Sequence, residues 1–207
     1  MSKALVIVES PAKVKTINKI LGSRFKVTSS MGHLIDLPKS ALGVDLEKDF
    51  EPKLIVVRTK QKILGKLKKE ADGKTEVYFA TDPDREGEAI GWNLVPHLGV
   101  DKKVYRVVFH EITKEAVLRA FKEKHQFDPK KINAQNARRI LDRIVGYMIR
   151  PILWKKVGSR LSAGRVQSVA LRLIVDRERQ IEKFVPVEYW QIGVTLQKDG
   201  VPGPLHA

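Results

Sequence analysis

Three carboxylates alternate in Asp82-Pro83-Asp84-Arg85-Glu86. In extended backbone, side chains at i, i+2 and i+4 share one face, and Pro83 disfavours the α conformation at Asp82. Three hard oxygen donors on one face suit Mg²⁺, which prefers carboxylates and water. A competing role is local: Asp84, Glu86 and Glu88 complement the N-terminus of a helix that starts here. Glu9 supplies a fourth carboxylate, at the end of the apolar run Ala4 to Val8. Ligands of open α/β sheets bind beyond the carboxyl ends of the strands, so Glu9 and the Asp82 cluster are expected to converge on one metal site. Carboxylates repel a phosphate backbone unless a cation bridges them. An acidic pocket in a basic protein therefore points to metal-assisted phosphoryl chemistry.

The protein is basic. Its 207 residues include 39 Lys+Arg against 24 Asp+Glu, a net charge of +15, which favours a polyanionic partner and above all nucleic acid. The charge is densest between residues 128 and 185, where 14 basic residues meet 5 acidic ones; this segment is the expected site of phosphate contacts. Arg138, Arg139 and Arg143 lie on neighbouring turns of one expected helix, with Asp142 placed to orient one of them. Arginine suits bidentate phosphate binding. Ser162 to Gln167 precedes or opens another helix, whose N-terminal amides could face a phosphate. Arg165 and Gln167 are the expected DNA contacts there, while Ser162 is a contact or a cap. Tyr147 stacks on a base or packs. His33, in a polar loop, lies near the nucleic acid or makes a structural hydrogen bond. The remaining histidines show no metal-ligand spacing, and Trp92, Trp154 and Trp190 are read as core or interface residues.

Other classes fall away. With no cysteine there is neither a disulfide framework nor a Cys-based zinc site in this stretch. The N-terminal apolar run is too short for a signal peptide or a membrane span. No basic cluster flanks an apolar anchor, so no membrane partner is expected and a cytoplasmic location is.

These residues need a frame to hold them. Ala4-Leu5-Val6-Ile7-Val8 reads as a strand buried on both faces of a parallel sheet. A helix follows from Pro11 to Leu21, with Ser10 as N-cap and Gly22 closing it. Further strands are expected at Phe25 to Ser29, Lys53 to Arg58, Glu76 to Ala80 and Val104 to Phe109. Helices are expected at Thr59 to Ala71, Arg85 to Leu98 and Thr113 to Lys124, with a loop from Met31 to Pro38. The alternation predicts a doubly wound α/β sheet over residues 1–127. Residues 128–185 read as almost wholly helical, with breaks at Arg150-Pro151 and around Gly158 to Gly164. From Pro186 the chain turns β-like: a strand from Tyr189 to Leu196, then a hairpin turn at Lys198-Asp199-Gly200. The end at Ala207, inside the returning strand, suggests truncation.

Val8-Glu9-Ser10-Pro11-Ala12-Lys13, with Lys15-Thr16-Ile17, closely resembles the opening of type IA DNA topoisomerases of the bacterial topoisomerase I branch. Asp82-x-Asp84-x-Glu86-Gly87-Glu88 resembles the Toprim acidic motif, with Glu9 as the Toprim glutamate. Asn133-Ala134-Gln135-x-Ala137-Arg138-Arg139, then Asp142-Arg143-x-Val145-Gly146-Tyr147, is similar to the family's next helical segment. Leu161-Ser162-Ala163-Gly164-Arg165-Val166-Gln167-Ser168-Val169-Ala170 resembles its most recognisable later motif. The resemblance implies a Toprim-type α/β sheet, a mainly α-helical segment and the start of a β-rich domain. It implies an ATP-independent isomerase that relaxes negatively supercoiled DNA, cutting one strand through a 5′-phosphotyrosyl link with Mg²⁺. Asp82, Asp84 and Glu86 would be the metal site. Glu9 would sit at the scissile phosphate as a metal ligand or general acid/base, and Lys13 would stabilise phosphate charge. A monomer preferring single-stranded DNA is expected.

The family's tyrosine sits in a Thr-Tyr-x-Arg-Thr-Asp-Ser context. None of Tyr78, Tyr105, Tyr147 and Tyr189 has it, and Tyr78 and Tyr105 read as packing residues, so this chain is expected to bind DNA and Mg²⁺ without cutting. The rival readings are a stand-alone Toprim DNA-binding module and another Toprim enzyme, such as a nuclease or primase. The latter lacks a counterpart for the helical motifs.

Overall fold

The structure, a computed structural model, describes residues 4–99, 103–196, 199 and 205–206. It divides into two compact units, residues 1–165 and 166–207.

The first unit is built on β1 (Ala4–Val8), whose five residues are all buried. Burial on both faces explains the uninterrupted apolar run. α1 (Pro11–Leu21) follows, then β2 (Phe25–Ser29), which pairs in parallel with β1. Ser10 holds the N-cap position in extended conformation, but its side chain makes no capping bond; Pro11, whose missing N–H needs no partner at N1, opens the helix instead. Gly22, at φ 68°, closes α1 as expected.

Between residues 31 and 58, where a loop over Met31 to Pro38 and a strand over Lys53 to Arg58 are expected, the chain forms short ribbons. β3 (Ile35–Asp36), β4 (Val44–Asp45), β5 (Glu51–Pro52) and β6 (Ile55–Val56) form two antiparallel pairs, β3 with β6 and β4 with β5. Two-residue strands carry no periodicity to read. α2 (Gln61–Ala71) then leads to β7 (Glu76–Phe79), and α3 (Arg85–Leu94) to β8 (Lys103–Arg106). α3 stops short of the expected Leu98: Pro96 cannot donate to the ladder and lies in a 3₁₀ turn over Val95–His97. α4 (Lys114–Lys122) is capped by Thr113, whose hydroxyl accepts from the Ala116 amide at 3.2 Å.

The sheet order is β2-β1-β7-β8, parallel throughout. Alternate side chains feed two cores. Leu5, Ile7, Val77 and Phe79 pack with Leu64, Leu67 and Leu94. Val6, Val8, Tyr78 and Ala80 pack with Ile17, Val27 and Ala120. Tyr78 and Tyr105 are packing residues in ring contact, as expected. This is the anticipated α/β sheet.

α5 (Pro129–Lys156) runs for 28 residues, about 42 Å at 1.5 Å per residue. The break expected at Arg150-Pro151 does not occur, and Pro151 lies inside the continuous helix. Pro151 removes one ladder bond, but the intact turns on either side carry the helix through. α5 packs on α3, where Gly91 lets the Phe127 ring approach: a β-carbon there would come within 2.7 Å of it. Beyond α5, the Trp154 indole donates to the Leu161 carbonyl at 2.8 Å. The Ala163 carbonyl lies over Gly146, so the expected irregular segment folds back along the helix. None of the three tryptophans is in the core. Trp92 meets Phe127 edge-on while half exposed, and Trp190 is exposed.

α6 (Arg165–Glu182) opens the second unit. The strand expected over Tyr189 to Leu196 shortens to β9 (Thr195–Leu196), which pairs antiparallel with β10 (Leu205–His206). A two-stranded ribbon has too few neighbours to extend further. Lys198 and Gly200 of the expected turn lie outside the described residues.

Candidate nucleic-acid and metal site

At the carboxyl ends of β1 and β7 the chain brings Glu9 and Asp82 together. The Asp82 amide donates to Glu9 Oε2 at 3.3 Å, and Lys13, one turn into α1, forms an ion pair with the Asp82 carboxylate. Burial pushes the Glu9 carboxyl above its ordinary pKa; the Asp82 amide opposes this, the Asp82 charge reinforces it, and Lys13 opposes it. Glu9 is thus a carboxyl that holds its proton more tightly than usual, beside a second carboxylate and a cation.

The acidic triplet is not one extended face. Asp82 precedes the turn, Asp84 is the N-cap of α3 and accepts from the Gly87 amide at 2.7 Å, and Glu86 lies in the first helical turn. The capping bond starts the helix early, so the i, i+2, i+4 geometry is lost. Thr81 Oγ1 donates to the Gly87 carbonyl at 2.7 Å. A β-carbon at Gly87 would overlap the Asp82 carbonyl oxygen, so only glycine lets α3 begin this close to the turn.

Among the described residues no three His, Asp or Glu side chains form a ready metal cluster. The donor chemistry still fits Mg²⁺, which keeps several waters and takes one or two carboxylates. Glu9 and Asp82 supply two hard carboxylates side by side, the Asp82 amide bonded to Glu9 Oε2.

The loop after β2 carries His33 to this region. Met31 and Gly32 both take positive φ, 55° and 82°. The Gly32 amide donates to the Glu9 carbonyl at 3.1 Å, and Lys60 to the Met31 carbonyl at 2.9 Å. The turn leaves His33 Nε2 3.0 Å from Glu86 Oε1.

His33, Asp84, Arg85 and Glu86 line a cleft of about 480 Å³ whose other wall is Gln135, Arg138, Arg139 and Asp142 of α5. The α5 residues sit at i, i+3, i+4 and i+7, one helical face. Asp142 accepts from Arg165 Nε at 2.7 Å and lies 3.8 Å from Arg138 Nε, so it orients two guanidiniums rather than one. Arg139 forks onto the Asp36 carboxylate. Arg143 donates to the Pro38 carbonyl at 2.6 Å and to Ala41 at 3.3 Å; burial, then the neighbouring Arg139, depresses its pKa. In this structure Arg139 and Arg143 thus fasten α5 to the 36–41 segment, whereas Arg138 and Arg165 share one carboxylate. Tyr147, one turn beyond Arg143, is nearly half exposed. Ser162 does not line the cleft, and Gln167 lies in the first turn of α6.

Residues 4–112 match the family model for the Toprim domain, and residues 126–203 match that for DNA topoisomerase. Among solved structures, the chain is similar to full-length topoisomerase I from Thermotoga maritima. The identity is 51% and the TM-score 0.78, over 87% of this chain and 31% of that one. The chain belongs to the bacterial DNA topoisomerase family. It spans about a third of the length of the topoisomerase it matches.

Two residues of this topoisomerase Toprim domain carry weight that the sequence does not advertise. Arg106 has no exposed surface, and Glu88 is 2% exposed. They form an ion pair, Nε to Oε2, at 2.7 Å. A lone arginine in the expected strand Val104 to Phe109 carries no local signal of burial. Gln135 and Arg85 were legible in principle. Gln135 shares the helical face of Arg138 and Asp142, and Arg85 sits inside the acidic motif.

Among the described residues no helix is long and apolar enough to cross a membrane.

Proposed function

We propose that this chain is the metal- and DNA-binding part of a type IA topoisomerase, which relaxes negatively supercoiled DNA by cutting one strand through a 5′-phosphotyrosyl link. The cleft carries this reading. It sets the acidic start of α3, which adjoins Asp82 in the chain, against an Arg- and Gln-bearing helical face, so a phosphate bound there can meet cations from α5. Toprim domains in general bind Mg²⁺. Here Glu9 and Asp82 would hold it, with Asp84 and Glu86 beside them. When bound, the cation supplies charge neutralisation at the phosphate.

The chain's own groups do the rest. Glu9 either ligates the cation as a carboxylate or, keeping the proton it holds unusually tightly, exchanges it with the reacting or leaving oxygen. Lys13, ion-paired with Asp82, would stabilise charge on the phosphate. Arg138 and Arg165 bind the backbone, and Asp142 keeps them aligned. His33, Tyr147 and Ser162 would complete the strand's path, Tyr147 by stacking, while Arg139 and Arg143 would reach DNA only by giving up their bonds to the 36–41 segment; Gln167, at the start of α6, is a further proposed DNA contact. Type I cutting acts on one strand, which favours single-stranded DNA, bound by a monomer in the cytoplasm. None of the chain's four tyrosines is the nucleophile, so the chain binds without cutting.

A labelled single-stranded oligonucleotide, run with and without Mg²⁺ on native and denaturing gels, tests this. The expected result is a salt-sensitive shift with neither cleavage nor covalent adduct. A cut strand or an adduct would show that the chain carries its own nucleophile, and a duplex that competes equally would remove the single-strand preference.

A further inference from the structure

Arg106 is a fully buried cation that the chemistry above leaves unused. Its Nη1 donates to the carbonyls of Phe79 at 3.0 Å, Thr81 at 2.9 Å and Val107 at 2.8 Å, and its Nη2 to that of Asp82 at 2.6 Å. Its Nε takes Glu88 Oε2 at 2.7 Å, and Glu88 Oε1 accepts from the Asp128 amide at 2.7 Å. Asp128 is the N-cap of α5.

We infer that Arg106 is a positioning residue for the acidic turn: it fixes the backbone that aims Asp82 at Glu9 and, through Glu88, ties that turn to the start of α5. β7 ends at Phe79. The carbonyls of Thr81 and Asp82 therefore lie beyond the strand, and Thr81 is only 3% exposed. Buried carbonyls need donors. A guanidinium supplies five donors in one rigid plane, whereas an ammonium supplies three from a point. With four carbonyls and one carboxylate to serve, lysine cannot replace arginine. A buried ion pair is weak evidence for stability, since an apolar pair of similar volume often does as well. The bonds to Thr81 and Asp82 point instead to geometry. These two residues carry the turn between Glu9 and Asp84, and an apolar side chain at 106 would let that turn refold to find water.

The inference rests on the reading that Glu9 and Asp82 take a divalent cation, so the test separates the two. Site-resolved amide exchange would be measured on the 207-residue chain and on Arg106→Lys, with Mn²⁺ broadening of the Glu9 and Asp82 signals as a second readout. In Arg106→Lys the Asp82 and Gly87 amides should exchange at least about tenfold faster while those of β1 and β7 keep their rates, as expected for local opening. Mn²⁺ should bind about tenfold more weakly, the loss of roughly one to two hydrogen bonds' worth of order. Faster exchange spread evenly over the sheet, or an unchanged turn, would overturn the positioning role. If Arg106→Lys loses its fold by circular dichroism, Glu88→Gln decides: a loosened turn in an intact sheet supports the inference, and an unchanged turn sinks it. A parent chain with no Mn²⁺ effect at Glu9 or Asp82 would remove the metal reading alone, because the exchange rates still decide what Arg106 does.

Discussion

Burial raises the pKa of Glu9, and the shift has a thermodynamic sign. The folded state binds its proton more tightly than the unfolded chain does. That stabilisation is complete below the ordinary glutamate range near pH 4.3 and is lost as pH rises through the higher folded value. Glu9→Gln cannot lose a proton, so its melting temperature relative to the parent should improve from about pH 4 to about pH 7. A constant difference across that range would mean that Glu9 titrates as an ordinary exposed acid. Glu88 makes the opposite case. Glu88→Ala leaves the Arg106 charge buried without its partner, which costs about 3–5 kcal/mol. Urea unfolding should show that loss, and a change under about 1 kcal/mol would mean that water reaches the guanidinium.

At the scale of elements, the parts carrying local periodicity were legible. β1 announced itself by an unbroken apolar run, and Gly22 and Thr113 marked helix ends by their own chemistry. The acidic turn was half legible: its residues were visible, but Asp84's choice of the Gly87 amide over an extended strand is decided by a single bond. Contacts made across the fold left no trace in the sequence. Asp36 and Arg139 are 103 positions apart, and Arg106 reaches Asp82 across 24. Pro151 misled because a proline predicts a lost bond, not whether a long helix tolerates it. Two substitutions test these elements. Gly91→Ala forces a methyl against Phe127 at the α3–α5 contact and should cost about 1–3 kcal/mol by denaturant titration, as overpacking does. Pro151→Ala restores a ladder donor and should stabilise α5 by roughly 1–3 kcal/mol. An unchanged midpoint would show that the helix end frays there anyway.

At the scale of the whole molecule, net charge and cleft combine into a salt response. Affinity for single-stranded DNA should fall at least about tenfold between about 50 mM and 200 mM salt, with a log–log slope near −0.7 per phosphate neutralised. Arg138→Ala and Arg165→Ala should each flatten that slope by about 0.7 without changing sequence preference, and a slope unchanged in both would move the phosphate path off Asp142's two partners. The order of strands has a separate consequence, for synthesis. Of this sheet's strands β1 is made before the others, yet it sits inside the sheet, between β2 and β7, and its pairing with β7 joins Ala4 to Glu76. A nascent chain therefore carries an apolar segment, destined for burial on both faces, for some seventy residues before its second neighbour exists. Non-local parallel pairing of this kind is slow and leaves strand edges open to other chains. During that interval Ala4 to Val8 has only β2 beside it, and its open edge is where association with other chains would begin.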